Sequence, residues 1–305
     1  MFDLVAGAKQ RLTSLTTEAH AARPPRVLVF DSGLGGLTVY TEVQGIASGA
    51  DFTYLADDAV FPYGALPEGE LVHRVMAVME AAIEAHRPDV VVVACNTAST
   101  SVLPPLRARW PAIAFVGTVP AIKPAVAASR TRQISVLATA GTVKRDYTRH
   151  LIETYAGGCH VTLVGSAGLA RLAEAVMRGE AVSDIDILEE IAPAFVIEEG
   201  RRTDVIVLAC THYPLLLPRL QALAPWDVTW IDPAPAIARR VGTVLEDMWG
   251  AGSAAIEKGA VGLAPALFTG NKPPGAALEA FLARCGLQWQ ASPALAALTA
   301  AEPVA

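Results

Sequence analysis

The stretch Asp89-Val-Val-Val-Val-Ala-Cys95 returns, little altered, as Asp204-Val-Ile-Val-Leu-Ala-Cys210. Each copy is a short apolar run rich in β-branched residues that ends on Ala-Cys and then turns polar. Asn96-Thr97 follows the first copy and Thr211-His212 the second. Such a run reads as a strand buried on both faces in a parallel sheet. Each cysteine then stands at the carboxyl end of its strand, the edge where open α/β sheets bind ligands.

The same punctuation continues outward. Arg26 to Phe30 reads as a first strand, Asp31-Ser-Gly-Leu-Gly-Gly36 as a tight loop and Leu37 to Ile46 as a helix. A second strand covers 51–55. A helix covers 68–86, with Leu71, Val75, Val78, Met79, Ala82 and Ile83 on one side. In the second half, strand 133–137, helix 143–155, strand 161–164, helix 185–199, strand 227–231 and helix 235–249 alternate. Residues 250–262 read as a loop of small residues, and 266–289 as one strand and one amphipathic helix. This alternation predicts an α/β fold of two similar doubly wound parallel-sheet domains facing one another across a cleft.

The segmentation places an N-terminal extension over 1–25, ended by Arg23-Pro24-Pro25, since proline removes a donor and restrains its predecessor. An Ala/Pro-rich tail over 291–305 reads as frayed.

Composition narrows the function classes. The 305 residues are 52% hydrophobic and 18% charged, with a net charge of -6, so no basic face for nucleic acid is expected. No run reaches the ~18 apolar residues of a membrane span. No signal-peptide core interrupts Asp3, Lys9, Arg11 and Glu18. Cys95, Cys159, Cys210 and Cys285 are too sparse for a disulfide framework, and a reducing cytoplasm is the expected setting. The oligomeric state is carried by no motif, and a homodimer stays an open expectation.

The chemistry centres on Cys95 and Cys210. A thiol titrates near ~8.5, and a helix N-terminus lowers that value. Moving a proton off one face of a tetrahedral carbon and returning one to the other face inverts it. Two bases on opposite faces are the simplest device, one thiolate accepting and one thiol donating. A single strand-end cysteine is more often a buried structural residue; the matched pair reverses that preference. Cys159 and Cys285 keep the structural reading. Asp31 and Ser32 are either ligands at a strand end or an ordinary helix cap. Gly33-x-Gly35-Gly36 is not a phosphate fingerprint. Tyr63-Gly64 could offer a hydroxyl and an N–H to a carboxylate, or simply turn the chain. His212 could tune Cys210, yet Cys-x-His is too little for zinc, so no metal site is expected. His20, His73, His86, His150 and His160 read as surface residues, and Glu174 by default as a solvated helix carboxylate.

Taken in order, Phe30-Asp-Ser-Gly-Leu-Gly-Gly-Leu-Thr38, Tyr54-Leu-Ala-Asp57, Pro62-Tyr63-Gly64, Ala94-Cys-Asn-Thr-Ala98, Gly117-Thr-Val-Pro120, Ala138-Thr-Ala-Gly-Thr142, Ala209-Cys-Thr-His-Tyr-Pro214 and Ile231-Asp-Pro233 resemble the glutamate racemase family. A weaker match follows at Leu267-Phe-Thr-Gly270, and together the stretches span about residues 26–290.

The resemblance implies a cofactor-independent enzyme that interconverts L- and D-glutamate, the latter for peptidoglycan, with its active site in a cleft between two α/β domains. It implies a first domain of 26–118 completed by 230–290, and a second of 119–229. It implies Cys95 as the base toward D-glutamate and Cys210 as the base toward L-glutamate, with Asp31 and His212 as their helpers. Ser32, Tyr63, Gly64, Asn96, Thr97, Thr139, Thr142 and Thr211 are implied as substrate contacts, beside Asp31 and His212. Where the family often carries Cys-Pro and then an acidic residue, this chain reads Gly165-Ser-Ala-Gly-Leu-Ala-Arg-Leu-Ala-Glu174. Glu174 is the match for the acidic helper.

An aspartate or hydantoin racemase would share the two thiols, and a binding protein could keep the fold without the chemistry. A pyridoxal enzyme would need a Schiff-base lysine. Lys9, Lys123, Lys144, Lys258 and Lys272 sit in no such context. A thiol oxidoreductase would not need the Asn-Thr and Thr-His flanks.

Overall fold

The computed structural model describes residues 23–251, 253 and 262–300. The expected extension lies outside them apart from Arg23, Pro24 and Pro25, as do residues 301–305 and most of the expected loop over 250–262.

Val90 to Val93 form a strand in which every side chain is fully buried. Each valine moved out of water contributes about 1.5 kcal/mol or more, so this strand belongs in the centre of a sheet. It is β3 of a six-stranded sheet with β1 (Arg26–Asp31), β2 (Asp51–Ala56), β4 (Ala114–Gly117), β11 (Ala264–Phe268) and β12 (Leu287–Gln290). The spatial order is β12-β11-β2-β1-β3-β4, all parallel. A second parallel sheet contains β5 (Gln133–Thr139), β6 (His160–Ser166), β9 (Val205–Ala209) and β10 (Thr229–Ile231). Its order is β10-β9-β5-β6. A two-stranded ribbon, β7 (Ile197–Glu198) and β8 (Arg201–Arg202), stands apart.

The duplicated sequence thus has a duplicated topology. Strands β4-β3-β1-β2 of the first sheet match β10-β9-β5-β6 of the second, with each cysteine following an equivalent inner strand. Apolar clusters cover both faces of each sheet, which is the doubly wound arrangement.

Strand β10 is paired to β9, so the expected return to the first domain at residue 230 falls inside a strand of the second sheet. The return comes after Ile231. Helix Ala234–Trp249 then buries Val241, Leu245 and Trp249 in the same cluster as Val43 of helix Gly36–Ile46. Helix Glu68–His86 covers the opposite face through Leu71, Val75, Val78, Met79 and Ala82.

Four other expectations change. The helix read over 143–155 is two, Ala140–Lys144 and Asp146–Tyr155, separated by an extended Arg145. The helix read over 185–199 spans only Asp184–Ile191, because Pro193 diverts the chain into a 3-10 turn. Residues 266–289 hold the end of β11 and most of β12, two strands rather than one. Within the tail read as frayed, Pro293–Ala300 is helical and Leu295 is buried against the first domain's core.

Candidate active site

Cys95 and Cys210 line one cleft between the two sheets. Each is only 5% exposed, and both thiols are free. Ser32, Tyr63, Gly64, Asn96, Thr97, Thr139, Thr211 and His212 line the same cleft. Asp31, Thr142 and Glu174 are buried directly behind that lining. The cleft is closed to a volume of ≈ 10 Å³, room for about one water. A wider cavity of ≈ 660 Å³ lies by Thr41, Gln44, Asp51, Phe52, Ala264 and Pro265, where β2 and β11 begin. That is the opposite end of the strands from the ligand-binding edge, and none of its lining residues is a cysteine or histidine.

The two half-sites differ in what touches sulfur. Cys95 precedes helix Asn96–Arg109 and its Sγ lies 3.6 Å from Ser32 Oγ. Burial pushes the Cys95 thiol up to about 12, and the negative Asp31 adds to this. The Ala98 N–H and Ser32 pull the other way without prevailing. No α-helix starts directly after Cys210. A 3-10 turn, Tyr213–Leu216, follows, and helix Leu217–Leu223 comes later. Its sulfur instead faces His212 Nδ1 at 3.8 Å.

His212 is 1% exposed. Burial alone would lower its imidazole, but hydrogen bonds to Cys210 and Glu174 hold it well above its ordinary value. Nε2 lies 3.0 Å from Glu174 Oε1 and 3.2 Å from the Gly35 nitrogen. A carboxylate only accepts, so Nε2 carries a proton aimed at Glu174 and cannot also accept from Gly35. Burial would raise the Glu174 carboxyl, yet His212, the Leu34 N–H and Arg178 together hold it below the carboxylate range. Glu174 Oε1 accepts from Leu34 N at 2.6 Å and Oε2 from Arg178 at 2.8 Å. The default reading of Glu174 as a solvated carboxylate is therefore overturned. Its own helix, Leu169–Met177, turns it inward against the other domain.

Asp31 accepts from Gly33 N and Thr211 Oγ1, each at 3.1 Å. Burial raises its carboxyl, and nearby His212 opposes that rise. Asp31 therefore serves both halves: its hydrogen bond reaches the Cys210 half-site through Thr211, its charge acts on Cys95 as the sequence reading expected, and Ser32 is what touches the Cys95 sulfur. Asp31 does not line the cleft in this closed form, so it stands behind the expected substrate position. Thr97 joins the domains through hydroxyl contacts to Thr139 at 2.9 Å and to Thr142 at 3.1 Å, and Thr139 and Thr142 lie 3.0 Å from each other within the second domain. Gly64 lies so near Thr139 that a Cβ there would meet Thr139 Cβ at 2.9 Å. The Tyr63 hydroxyl, expected to be free for a carboxylate, already donates to Asp57. Asn96 is the reverse case: its Oδ1 and Nδ2 are buried with no partner.

Sequence reading missed Phe61 and Ala170 in the cleft. The Phe61 ring packs 5.1 Å from the His212 ring. Phe61 stands directly before Pro62-Tyr63-Gly64, a usable signal, whereas Ala170 has none. Among the described residues no group of three or more His, Cys, Asp and Glu could hold a metal. Cys159 and Cys285 lie outside the cleft lining.

Two parallel α/β domains, each delivering one strand-end thiol to a shared cleft, define a class of enzyme built to work on both faces of a small molecule. Residues 47–241 match the family described as Asp/Glu/Hydantoin racemase. The chain is 51% identical over 247 residues to the glutamate racemase of Sinorhizobium fredii, covering 81% of this chain and 90% of that protein. It is 54% identical over 225 residues to that of Agrobacterium fabrum, covering 74% and 82%. The structure of Escherichia coli glutamate racemase in complex with L-glutamate and the activator UDP-MurNAc-Ala superposes with a TM-score of 0.78. It is 38% identical and covers 87% of this chain and 97% of that one. This chain belongs to the Asp/Glu/Hydantoin racemase family and, within it, to the glutamate racemase family.

Proposed function

We propose that this protein is a glutamate racemase that interconverts L- and D-glutamate without a cofactor, by proton transfer at Cα between Cys95 and Cys210. The observation that carries the proposal is the pair of thiols on equivalent strand ends, facing one cleft from two domains. One thiolate takes the Cα proton and leaves a carbanion. The opposite thiol then delivers its own proton to the other face, so the two sulfurs exchange states with each turnover. His212, holding a proton against Glu174, faces the Cys210 sulfur and balances charge there as the proton moves. Ser32 does so more weakly at Cys95. The unpartnered Asn96 amide offers one acceptor and one donor, complementary to the ammonium and carboxylate of an amino acid. With a volume of ≈ 10 Å³ when closed, the cleft must open to admit substrate, and closure then excludes water from the carbanion. The product D-glutamate would serve peptidoglycan synthesis in the cytoplasm.

Circular-dichroism turnover of L-glutamate, L-aspartate and a hydantoin, run side by side, tests the substrate. L-Glutamate should lose its signal fastest, and in deuterated water the inverted product should carry deuterium at Cα. Preference for another substrate, or an unlabelled inverted product, would overturn the proposal.

A further inference from the structure

Behind Tyr63 and Gly64 lies a buried ionic cluster that the chemistry above does not use. Asp57 is fully buried. Its Oδ2 accepts from the Tyr63 hydroxyl and from Arg74 Nε at 2.9 Å. Its Oδ1 accepts from Arg74 Nη2 and from Thr269 Oγ1, each at 2.6 Å. Its backbone N–H reaches the Asp31 carbonyl at 2.9 Å. Arg74 has one further bond, from Nη1 to the Leu298 carbonyl at 2.8 Å. Leu298 belongs to helix Pro293–Ala300, whose Leu295 is buried in the cluster that also holds Tyr63, Cys95 and Val75.

We propose that Arg74 is a positioning residue of the active site, and that the carboxy-terminal helix acts through it to hold Tyr63 and Gly64 against the cleft. The guanidinium forks onto both Asp57 oxygens, a planar match that lysine cannot reproduce. That fork leaves Asp57 one orientation, and the same carboxylate receives the Tyr63 hydroxyl. The Leu298 carbonyl engages Nη1, the guanidinium nitrogen that Asp57 leaves free, so the helix helps fix where the guanidinium sits. Thr269 brings β11 to the same carboxylate, which gives a physical reason for the Thr-Gly at 269–270. Gly64 needs such control because its approach to Thr139 leaves no room for a Cβ. Asp57, Arg74, Thr269 and Leu298 lie outside the cleft lining, so they act through Tyr63 and Gly64, and their effect belongs to substrate binding rather than to proton transfer.

This inference rests on the racemase reading, and two readouts separate the two. In the full-length chain, Arg74→Lys should raise KM for both glutamate enantiomers by about tenfold with kcat within about threefold, the signature of lost binding rather than lost chemistry. Tyr63→Phe, which approaches the same contact from its other end and removes only a hydroxyl, should show the same split. Leu295→Ala should raise KM in the parent chain, yet add less than about twofold in the Arg74→Lys background, because linked residues are non-additive. Independently of turnover, amide exchange over residues 57–66 should quicken in Arg74→Lys. A fall in kcat at unchanged KM, fully multiplicative effects, or unchanged exchange would overturn the positioning role. No glutamate turnover by the parent chain would instead sink the racemase reading, leaving the exchange measurement to decide this one.

Discussion

Glu174 and His212, read from separate parts of the chain, meet at 3.0 Å in a site where both are buried. The contact sets the charge state of the Cys210 half-site. The same Glu174 oxygen accepts the Leu34 N–H of the other domain, so the pair beside Cys210 is held by both domains.

Glu174→Gln should lower kcat/KM by about 10²–10³-fold, the range expected when proton-transfer support is lost. Racemisation has an equilibrium constant of unity, so kcat/KM must fall by the same factor for both enantiomers. Only kcat and KM taken singly can become unequal. The alkaline limb of the pH profile should move to lower pH, since His212 loses the carboxylate that helps raise it. Steady-state rates in both directions across pH check this.

The same substitution should be visible in stability. Glu174 is lowered in the fold, so its contribution is complete above the ordinary carboxylate range and fades as pH falls through its lowered value. His212 is raised, so its contribution is complete below about 6.5 and fades as pH rises through its raised value. Breaking a buried pair costs about 3 kcal/mol. Denaturant unfolding should show that loss near neutral pH, shrinking toward both acid and alkaline extremes.

Cys95→Ser and Cys210→Ser should each reduce racemisation by about 10³-fold or more, because one face of Cα loses its base. Turnover measured by circular dichroism decides the point, and near-parent activity in either variant would contradict a two-base scheme.

With its thiol pushed up to about 12, Cys95 should alkylate very slowly at pH 8, where roughly one molecule in ten thousand is thiolate. Asp31→Asn removes a like charge and should speed that reaction. It should also raise the melting temperature at neutral pH. Burial raises the Asp31 carboxyl, so keeping it ionised above the ordinary range opposes folding. Activity should fall together with that gain in stability. Peptide-resolved alkylation and calorimetry measure both.

Gly35→Ala should weaken domain closure. A Cβ there would meet Thr211 Oγ1 and His212 Nδ1 at 2.5 Å, and overpacking of this kind costs about 1–3 kcal/mol. The expected outcome is a large loss of kcat/KM with a measurable drop in the unfolding midpoint.

The amino-acid order alone was enough for the two cysteine strands, the loop at Asp31-Ser32 and most of the sheet. Those features are local: a run of valines, a polar break and a glycine turn are read within a few neighbours. The same is true of Thr97 and Thr211, which closely follow the strand ends, whereas Thr139 was marked only by the resemblance to the family's motif. Short β12 and the carboxy-terminal helix escaped reading because their burial comes from partners elsewhere in the chain rather than from their own periodicity.

What only the tertiary structure decided concerns groups that meet across long separations. Leu34 and Glu174 are 140 residues apart, and Arg74 and Leu298 are 224 apart. Nothing on the Glu174 helix distinguishes that carboxylate from one facing water until the other domain covers it. The duplication told that two thiols would oppose each other. Packing decided that one rests on a hydroxyl and the other on a buried imidazole–carboxylate pair, because the helpers of a half-site come from whichever element the fold brings against it.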